Sequence, residues 1–467
     1  MSARVVVVGG GIAGLAAAHR LAATGVDCTV VEADDRLGGK LRTTPFAGRL
    51  VDEGADAFLL RAPEALDLCR TLGIDGELVH PAVRRAYVYG RGELRPLPPQ
   101  LLGVPTDIDA LAGSGILSAA GLERARQDLT LPATPLAADD TIGAVVERRL
   151  GAEVLDRLVD PLVGGINAGD TRRLSLAAVV PQVDSVARDP DHASLIEAAR
   201  AAVAAATARG GAGPDAPVFA SPAAGMGRLV EALAADLGTA AVRLGATVES
   251  LAPARSGFTL HLADGTTADA DAVVLAVPAS GAGALLGDIA PGAARTLAGI
   301  EHASVALVTM AVRPEDLTRP LDASGFLVPR VEATAVTACS WASAKWAHLA
   351  ADRGDGTVVL RVSVGRAGDD AALGLDDDDL VARVLEDLAA TMGLAGAPRE
   401  LRVNRWPGSF PQYAPGHLER IAAAEAALPP TVALAGAALR GVGVPACIRS
   451  GNLAAERVGA SLAAPGR

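Results

Sequence analysis

Two features of the sequence could hold a nucleotide. The first is Gly9-Gly10-Gly11-Ile12-Ala13-Gly14, which fits G-x-G-x-x-G and directly follows the apolar run Val5-Val6-Val7-Val8. Between a strand and a helix, Gly9 makes the tight turn, Gly11 lets the backbone approach a pyrophosphate, and Gly14 permits close helix packing. The helix N-terminus, including the N–H groups of Ile12 and Ala13, offers donors and a positive dipole end to phosphate. The second feature is Glu32, at the end of the next apolar run. A carboxylate there can accept hydrogen bonds from an adenosine ribose and disfavours a 2′-phosphate. Together they point to a bound dinucleotide.

No side-chain cluster competes with that reading. Cys28, Cys69, Cys339 and Cys447 are far apart and form neither a C-x-x-C pair nor a metal-ligand spacing with histidine, so they are read as buried reduced thiols. His348 and His417 lack a carboxylate or nucleophile partner in the sequence and are read as structural. The acidic run 376–379 precedes a helical pattern over 380–392, where carboxylates complement the helix dipole. No metal site is expected.

A parallel βαβ unit must carry the glycine loop: a strand over 4–8, the loop over 9–14, a helix over 15–24 and a strand over 27–32. A second strand-rich block spans 242–277, with strands over 246–250 and 258–262, a turn over 263–266, and a buried strand over 271–277 stopped by Pro278. A third piece is the strand over 431–436, followed by a glycine loop and a helix over about 448–462. Between them, residues 63–206 read as mostly helix broken by loops at 94–99 and 164–170. Residues 209–214 read as a flexible connection, and strand character returns over 303–364.

The chain of 467 residues is about three typical domains long, and 50% of it is hydrophobic, ample for a large core. Its 21% charged residues are interspersed and sum to −12, which argues against a disordered chain and against nucleic acid as a partner. Of 42 basic residues two are lysines, Lys40 and Lys345, leaving 40 arginines, the mark of a GC-rich coding bias. The N-terminus has no leader-like pattern, and the longest apolar stretches, such as 303–312, fall short of the roughly 18–20 residues that cross a bilayer. A cytoplasmic protein without a transmembrane segment is expected, with peripheral membrane contact left open.

The stretch Glu32-Ala33-Asp34-Asp35-Arg36-Leu37-Gly38-Gly39-Lys40 resembles the E-x-x-x-R-x-G-G-[RK] extension of the flavin amine oxidase superfamily, which sharpens the dinucleotide to FAD. Gly38-Gly39 would allow close approach to the cofactor, and Arg36 and Lys40 can offset pyrophosphate charge. Asp52-Glu53-Gly54-Ala55-Asp56-Ala57-Phe58 resembles the segment that lies near the isoalloxazine. The loop 439–448, opening the last helix, would aim its dipole at the flavin N1/O2 edge. One departure is Gly436-Ala437, where relatives carry Gly-Asp or Gly-Glu, so a ribityl contact is missing.

The remaining motifs resemble one branch, the bacterial coproporphyrinogen III and protoporphyrinogen oxidases. They are Gly165-Ile166-Asn167-Ala168-Gly169-Asp170 with Leu174-Ser175, Ser324-Gly325-Phe326-Leu327-Val328-Pro329, and Cys339-Ser340-Trp341 with Lys345-Trp346. Trp406 with Pro411-Gln412-Tyr413 and Gly416-His417, and Arg440-Gly441-Val442-Gly443-Val444-Pro445, complete the set.

The resemblance implies an α/β fold: an FAD-binding Rossmann-like domain of glutathione-reductase type, with an inserted α+β substrate domain and a helical cap. The expected division is 1–75, 211–290 and 401–467 for the FAD-binding domain, 76–210 for the cap, and 291–400 for the substrate sheet. It implies non-covalent FAD contacted by Gly9, Gly10, Gly11, Ile12, Ala13, Gly14, Glu32, Ala33, Arg36, Gly38, Gly39, Lys40, Gly54, Ala55, Asp56, Ala57, Val248, Trp406, Val442, Gly443 and Val444. No catalytic side chain is expected, because flavin N5 carries the chemistry.

The implied reaction removes six electrons from coproporphyrinogen III in three flavin cycles, with O2 as acceptor and H2O2 as product. Arg85 would bind a propionate and Leu327 would pack on the macrocycle. Three alternatives stay open: protoporphyrinogen IX as substrate; another superfamily activity, as in carotenoid desaturases or amine oxidases; and a non-catalytic nucleotide-binding escort protein. The apolar segment 304–312, where amine oxidases of this fold often carry a lysine, weighs against amine oxidation.

Overall fold

In a computed structural model, which describes residues 3–208, 216–238 and 241–463, the four valines become the strand Arg4–Val8 at the centre of a five-stranded parallel sheet. Its neighbours are Asp27–Val31 on one side and Ala272–Leu275 on the other. Val242–Arg243 and Val432–Leu434 form the two edges. A parallel sheet is covered on both faces, and the alternation is visible: Val5 and Val7 pack into one apolar cluster, Val6 and Val8 into the opposite one.

A seven-stranded mixed sheet forms the second framework. Its order is Glu400–Pro411, His302–Val312, Val358–Val364, Val336–Ser340, Gly325–Leu327, Tyr87–Gly90, Glu93–Pro96. A third unit, with its own core, is helical and runs from Ile108–Ser114 to Leu195–Ala208.

Several sequence expectations are corrected here. Residues 94–99 are not all loop, because Glu93–Pro96 pairs antiparallel with Tyr87–Gly90, burying Tyr87 and Val88 against the large sheet. That hairpin therefore belongs to the sheet and not to a helical cap beginning at 76. The division at 401 falls inside the strand Glu400–Pro411, so the sheet ends after Pro411. Residues 164–167 are helical: the wide i→i+5 helix Leu155–Gly164, with Pro161 inside, runs into Gly165–Asn167 and stops at Ala168 in the left-handed conformation. The expected connection 209–214 lies outside the described residues.

The first helix is Ile12–Ala23, beginning three residues before the expected start because Gly11 serves as its N-cap. The last helix, Val444–Ala463, lies along it. Gly451 makes this contact close, since a Cβ there would overlap the carbonyl oxygen of Ala13. Gly451→Val is therefore expected to lower stability by about 1–3 kcal/mol or more by forcing the two helices apart. Gly459→Ala, on the same helix with nothing within 4 Å of a new Cβ, should be neutral or stabilising. Thermal unfolding of the two variants checks this, and equal melting temperatures would refute the close-contact argument.

Candidate functional site

The glycine loop leaves the central strand at its carboxyl end, where open α/β sheets bind ligands. Gly9 has φ +107° and donates its N–H to Val31 O at 2.8 Å. A Cβ on Gly14 would overlap Gly9 O, so the turn requires glycine at both positions. The second glycine loop lies against the first: the Gly38 N–H donates to Gly10 O at 2.8 Å, and a Cβ on Gly39 would stand 3.3 Å from the Gly11 Cα.

Space opens in front of Gly11, where a Cβ would meet nothing within 4 Å, and the helix that starts there has no side-chain cap on its first-turn N–H groups. Open room and uncapped donors at one point fit a pyrophosphate. Glu32 accepts from the Gly10 N–H at 2.5 Å and the Asp34 N–H at 2.8 Å. A carboxylate takes about four hydrogen bonds, so capacity remains for ribose hydroxyls.

Neither basic residue of this stretch points freely at a phosphate. The Arg36 guanidinium donates to Leu37 O and Gly39 O, holding the second loop in shape. The Lys40 ammonium donates to Ser409 O, on the far wall of the groove. The side chain of Lys40 is partly exposed, yet burial of its ammonium lowers its pKa, against the opposing influence of Cys447.

The far wall is built from segments remote in sequence. A Cβ on Gly54 would overlap Lys40 O and come within 3.8 Å of the Trp406 ring, whose Nε1–H donates to Glu53 O at 2.9 Å. Ala55 is exposed. Asp56 turns the other way: its Oδ2 accepts from Lys345 Nζ at 2.9 Å and the Trp346 Nε1–H at 3.2 Å, and Arg361 Nη1 lies 3.1 Å away. Burial alone would raise the Asp56 carboxyl, but Lys345 and Arg361 outweigh it and hold it well below the usual carboxylate range. The final loop is pinned by Tyr413, whose hydroxyl donates to Ala437 O and accepts from the Gly441 N–H at 2.8 Å while its ring stacks on His417. Gly443 is exposed and Val444 begins the last helix beside it.

A second group of motifs meets beside the strand Tyr87–Gly90. Arg85 precedes the strand Tyr87–Gly90, which pairs with Gly325–Leu327, and the Ser324 N–H donates to Arg85 O at 2.8 Å. Leu327 therefore stands on the neighbouring strand, 3.8 Å from where a Gly165 Cβ would lie. Ile166 beside it is 57% exposed, a large apolar side chain left open to the solvent. The Gln412 amide donates to Asn167 O at 3.1 Å, and the Ser175 N–H to Tyr413 O at 2.7 Å, tying this group to the cofactor-side loop. Arg85 is exposed and paired with Asp322 at 3.2 Å.

Direct contacts thus join several of the expected residues: Gly38 with Gly10, Gly39 with Gly11, Gly54 with Lys40 and Trp406, and Leu327 with Gly165. Val248 packs against the apolar cluster on one face of the parallel sheet, two residues from Ala246, whose N–H donates to Glu32 O at 2.8 Å, and Ala33 is exposed beyond Glu32. Sequence reasoning missed Arg361 and left Lys345 without a role. The spare use of lysine marked Lys345, whereas Arg361 is one arginine among 40 and carried no signal. The four cysteines are free and buried.

Comparison with known proteins agrees with this geometry. The model of a family described as flavin containing amine oxidoreductase matches residues 12–459. The coproporphyrinogen III oxidase of Bacillus subtilis (strain 168) is 35% identical over 460 residues, covering 96% of each chain. That of Mycobacterium bovis is 38% identical over 457 residues, covering 97% of this chain and 96% of its own. A crystal structure from Exiguobacterium sp. 255-15, provisionally designated a protoporphyrinogen oxidase, superimposes with a TM-score of 0.85 at 29% identity over 99% of both chains.

Asp52, buried behind the groove, gives a pH-dependent consequence. Burial pushes its carboxyl up to about 6, although it accepts from the Met226 N–H and the Thr43 hydroxyl. The folded state therefore holds the proton more tightly than the unfolded chain, and stability falls as pH rises from about 4 to about 6, by roughly 3 kcal/mol in all. Asp52→Asn keeps an acceptor oxygen and removes the charge. Melting temperatures between pH 4.5 and 7.5 should show the variant gaining on the native protein as pH rises; a constant difference would contradict the buried-carboxyl account.

Proposed function

The chain belongs to the flavin-containing amine oxidoreductase family, and on that premise we propose that it is a cytoplasmic coproporphyrinogen III oxidase that holds FAD non-covalently. The observation that carries the substrate is the near end-to-end identity, 35–38%, with relatives of that name. In support, several motifs that resemble that branch are bonded to one another, Gln412 to Asn167, Ser175 to Tyr413 and Tyr413 to Gly441. Free, buried cysteines suit a reducing compartment.

A flavin bound in the groove supplies a two-electron acceptor, so three cycles account for the six electrons between porphyrinogen and porphyrin, with O2 taking them up as three H2O2. The protein's own part is binding and orientation. Gly9 to Gly14 and the first helix would receive the pyrophosphate, Glu32 the ribose, and the segments at Gly54 and Val442–Val444 the ring. Gly38 and Gly39 keep the second loop thin enough to close over the first.

On the substrate side, Leu327, Ile166 and Gly165 offer an apolar wall for a macrocycle. Arg85 would exchange Asp322 for a propionate, since an Arg–carboxylate pair can re-form bidentate with either partner. We read the three sheet-forming pieces near 1–75, 211–290 and the end of the chain as the FAD-binding domain.

Three measurements test this reading. The purified protein is expected to show flavin absorption bands and to release FAD on denaturation; colour retained on the denatured chain would contradict non-covalent binding. Gly11→Val should abolish FAD binding, because its side chain would enter the open space in front of the loop, and full occupancy would defeat the assignment. In air, with an anaerobic control, kcat/KM should favour coproporphyrinogen III over protoporphyrinogen IX, and Arg85→Ala should raise KM while leaving the flavin spectrum intact. The reverse preference would overturn the substrate and leave the oxidase standing.

A further inference from the structure

The Asp56 cluster has a charge arrangement that simple salt bridging does not require. Two cations, Lys345 and Arg361, converge on one carboxylate, and both bonds are largely shielded from solvent, with side-chain exposures of 17%, 8% and 21% for Lys345, Arg361 and Asp56. Lys345 sits at the end of the short helix Ala342–Lys345, its ammonium 5.1 Å from the Trp346 ring centroid. Arg361 projects from the middle of the strand Val358–Val364.

Arg361 also does something Lys345 does not. Its Nη2–H donates to Gly54 O, while Nη1 holds Asp56. One planar guanidinium thereby grips the backbone and the side chain of the same three-residue stretch, and Nε remains buried without a hydrogen-bond partner among the described residues. Within that stretch Ala55 is exposed, and Gly54 lies against Lys40 O and the Trp406 ring. The cluster thus braces the 54–56 stretch through both its backbone and its side chain.

We propose that Lys345 and Arg361 are positioning residues that act through Asp56 and Gly54: Arg361 fixes the 54–57 backbone against the flavin, and the Lys345 charge behind it favours the reduced cofactor. This rests on the flavin reading above. The electrostatic reason is general. A reduced flavin carries more electron density than an oxidised one, and a cation held in a poorly solvated site stabilises the electron-rich form. Asp52, the other carboxylate near Arg361, is tied to Thr43 and Met226 and is the same in every variant below, so the direction depends on the Lys345 charge alone.

The test is the midpoint potential of the flavin-loaded protein, with FAD affinity measured by titrating the apoprotein. Lys345→Gln keeps a donor for Asp56 and removes the charge. It should weaken binding of reduced relative to oxidised FAD about tenfold, which lowers the two-electron potential by about 30 mV, and Lys345→Arg should restore it. Arg361→Lys keeps the charge and loses the two-pronged grip; it should leave the potential near that of the native protein and bind FAD at least tenfold more weakly. An unchanged potential in Lys345→Gln, even with a lower melting temperature, would reduce Lys345 to a structural ion pair and overturn its role. Undiminished FAD affinity in Arg361→Lys would do the same for Arg361. A native protein that takes up no FAD would remove the flavin reading and this inference with it, an outcome distinct from variants that fail to differ from a loaded native protein.

Discussion

Backbone pressed directly on backbone is the constraint from which the groove follows. Gly14 lies under Gly9 O, Gly451 under Ala13 O, and Gly54 under Lys40 O, and at each point a methyl group has no room. These contacts press the last helix onto the start of the first and the segment near 54 onto Lys40, next to the second glycine loop. Side chains elsewhere adjust by changing rotamer, but a carbonyl oxygen cannot retreat without moving its element. The glycines therefore decide where whole segments lie, and the open space before Gly11 is what remains when they are satisfied.

Hydrogen bonds then lock pieces that packing alone would leave free to slide. The Tyr413 phenol touches Ala437 and Gly441 from one segment while its own carbonyl accepts from Ser175 in another. Gln412, its neighbour, reaches Asn167. A movement of the wall that carries Ile166 is therefore transmitted within two residues to the loop that opens the last helix. Buried networks of this kind are rigid because every broken bond leaves an unsatisfied polar group.

Much of the groove was legible because its chemistry is carried by glycine, whose absence of a side chain is visible in sequence as spacing. Gly9 turns at a positive φ and Gly14 has no room for a Cβ, as their spacing implies, and Glu32 stands where the second strand ends. Long-range partners were harder. Arg36 and Lys40 look like phosphate ligands when read locally, yet carbonyls at Gly39 and Ser409 claim them, and the Ser409 contact spans 369 positions. Short strands were misread for a related reason: Glu93–Pro96 contains a proline and little β-branched residue, and it forms because Tyr87–Gly90 offers an edge. The helical 164–167 is held by the Asn167 amide donating to Val163 O within the segment and by Gln412, remote in sequence, donating to Asn167 O, which together offset two consecutive glycines.

The order of strands in the parallel sheet has a consequence for biosynthesis. Arg4–Val8 leaves the ribosome early, but its partner Ala272–Leu275 comes some 270 positions later, and the edge strand Val432–Leu434, with the helix that crosses the glycine loop, comes later still. At about 5–20 residues per second, roughly 20 to 90 seconds separate the first strand from the last. Through that interval the apolar run Val5–Val8 has only one side of its sheet available, the neighbour at Asp27–Val31. Until Ala272–Leu275 has been made, the nascent chain thus carries an unpaired, strongly hydrophobic strand edge, the kind of surface that holding chaperones recognise.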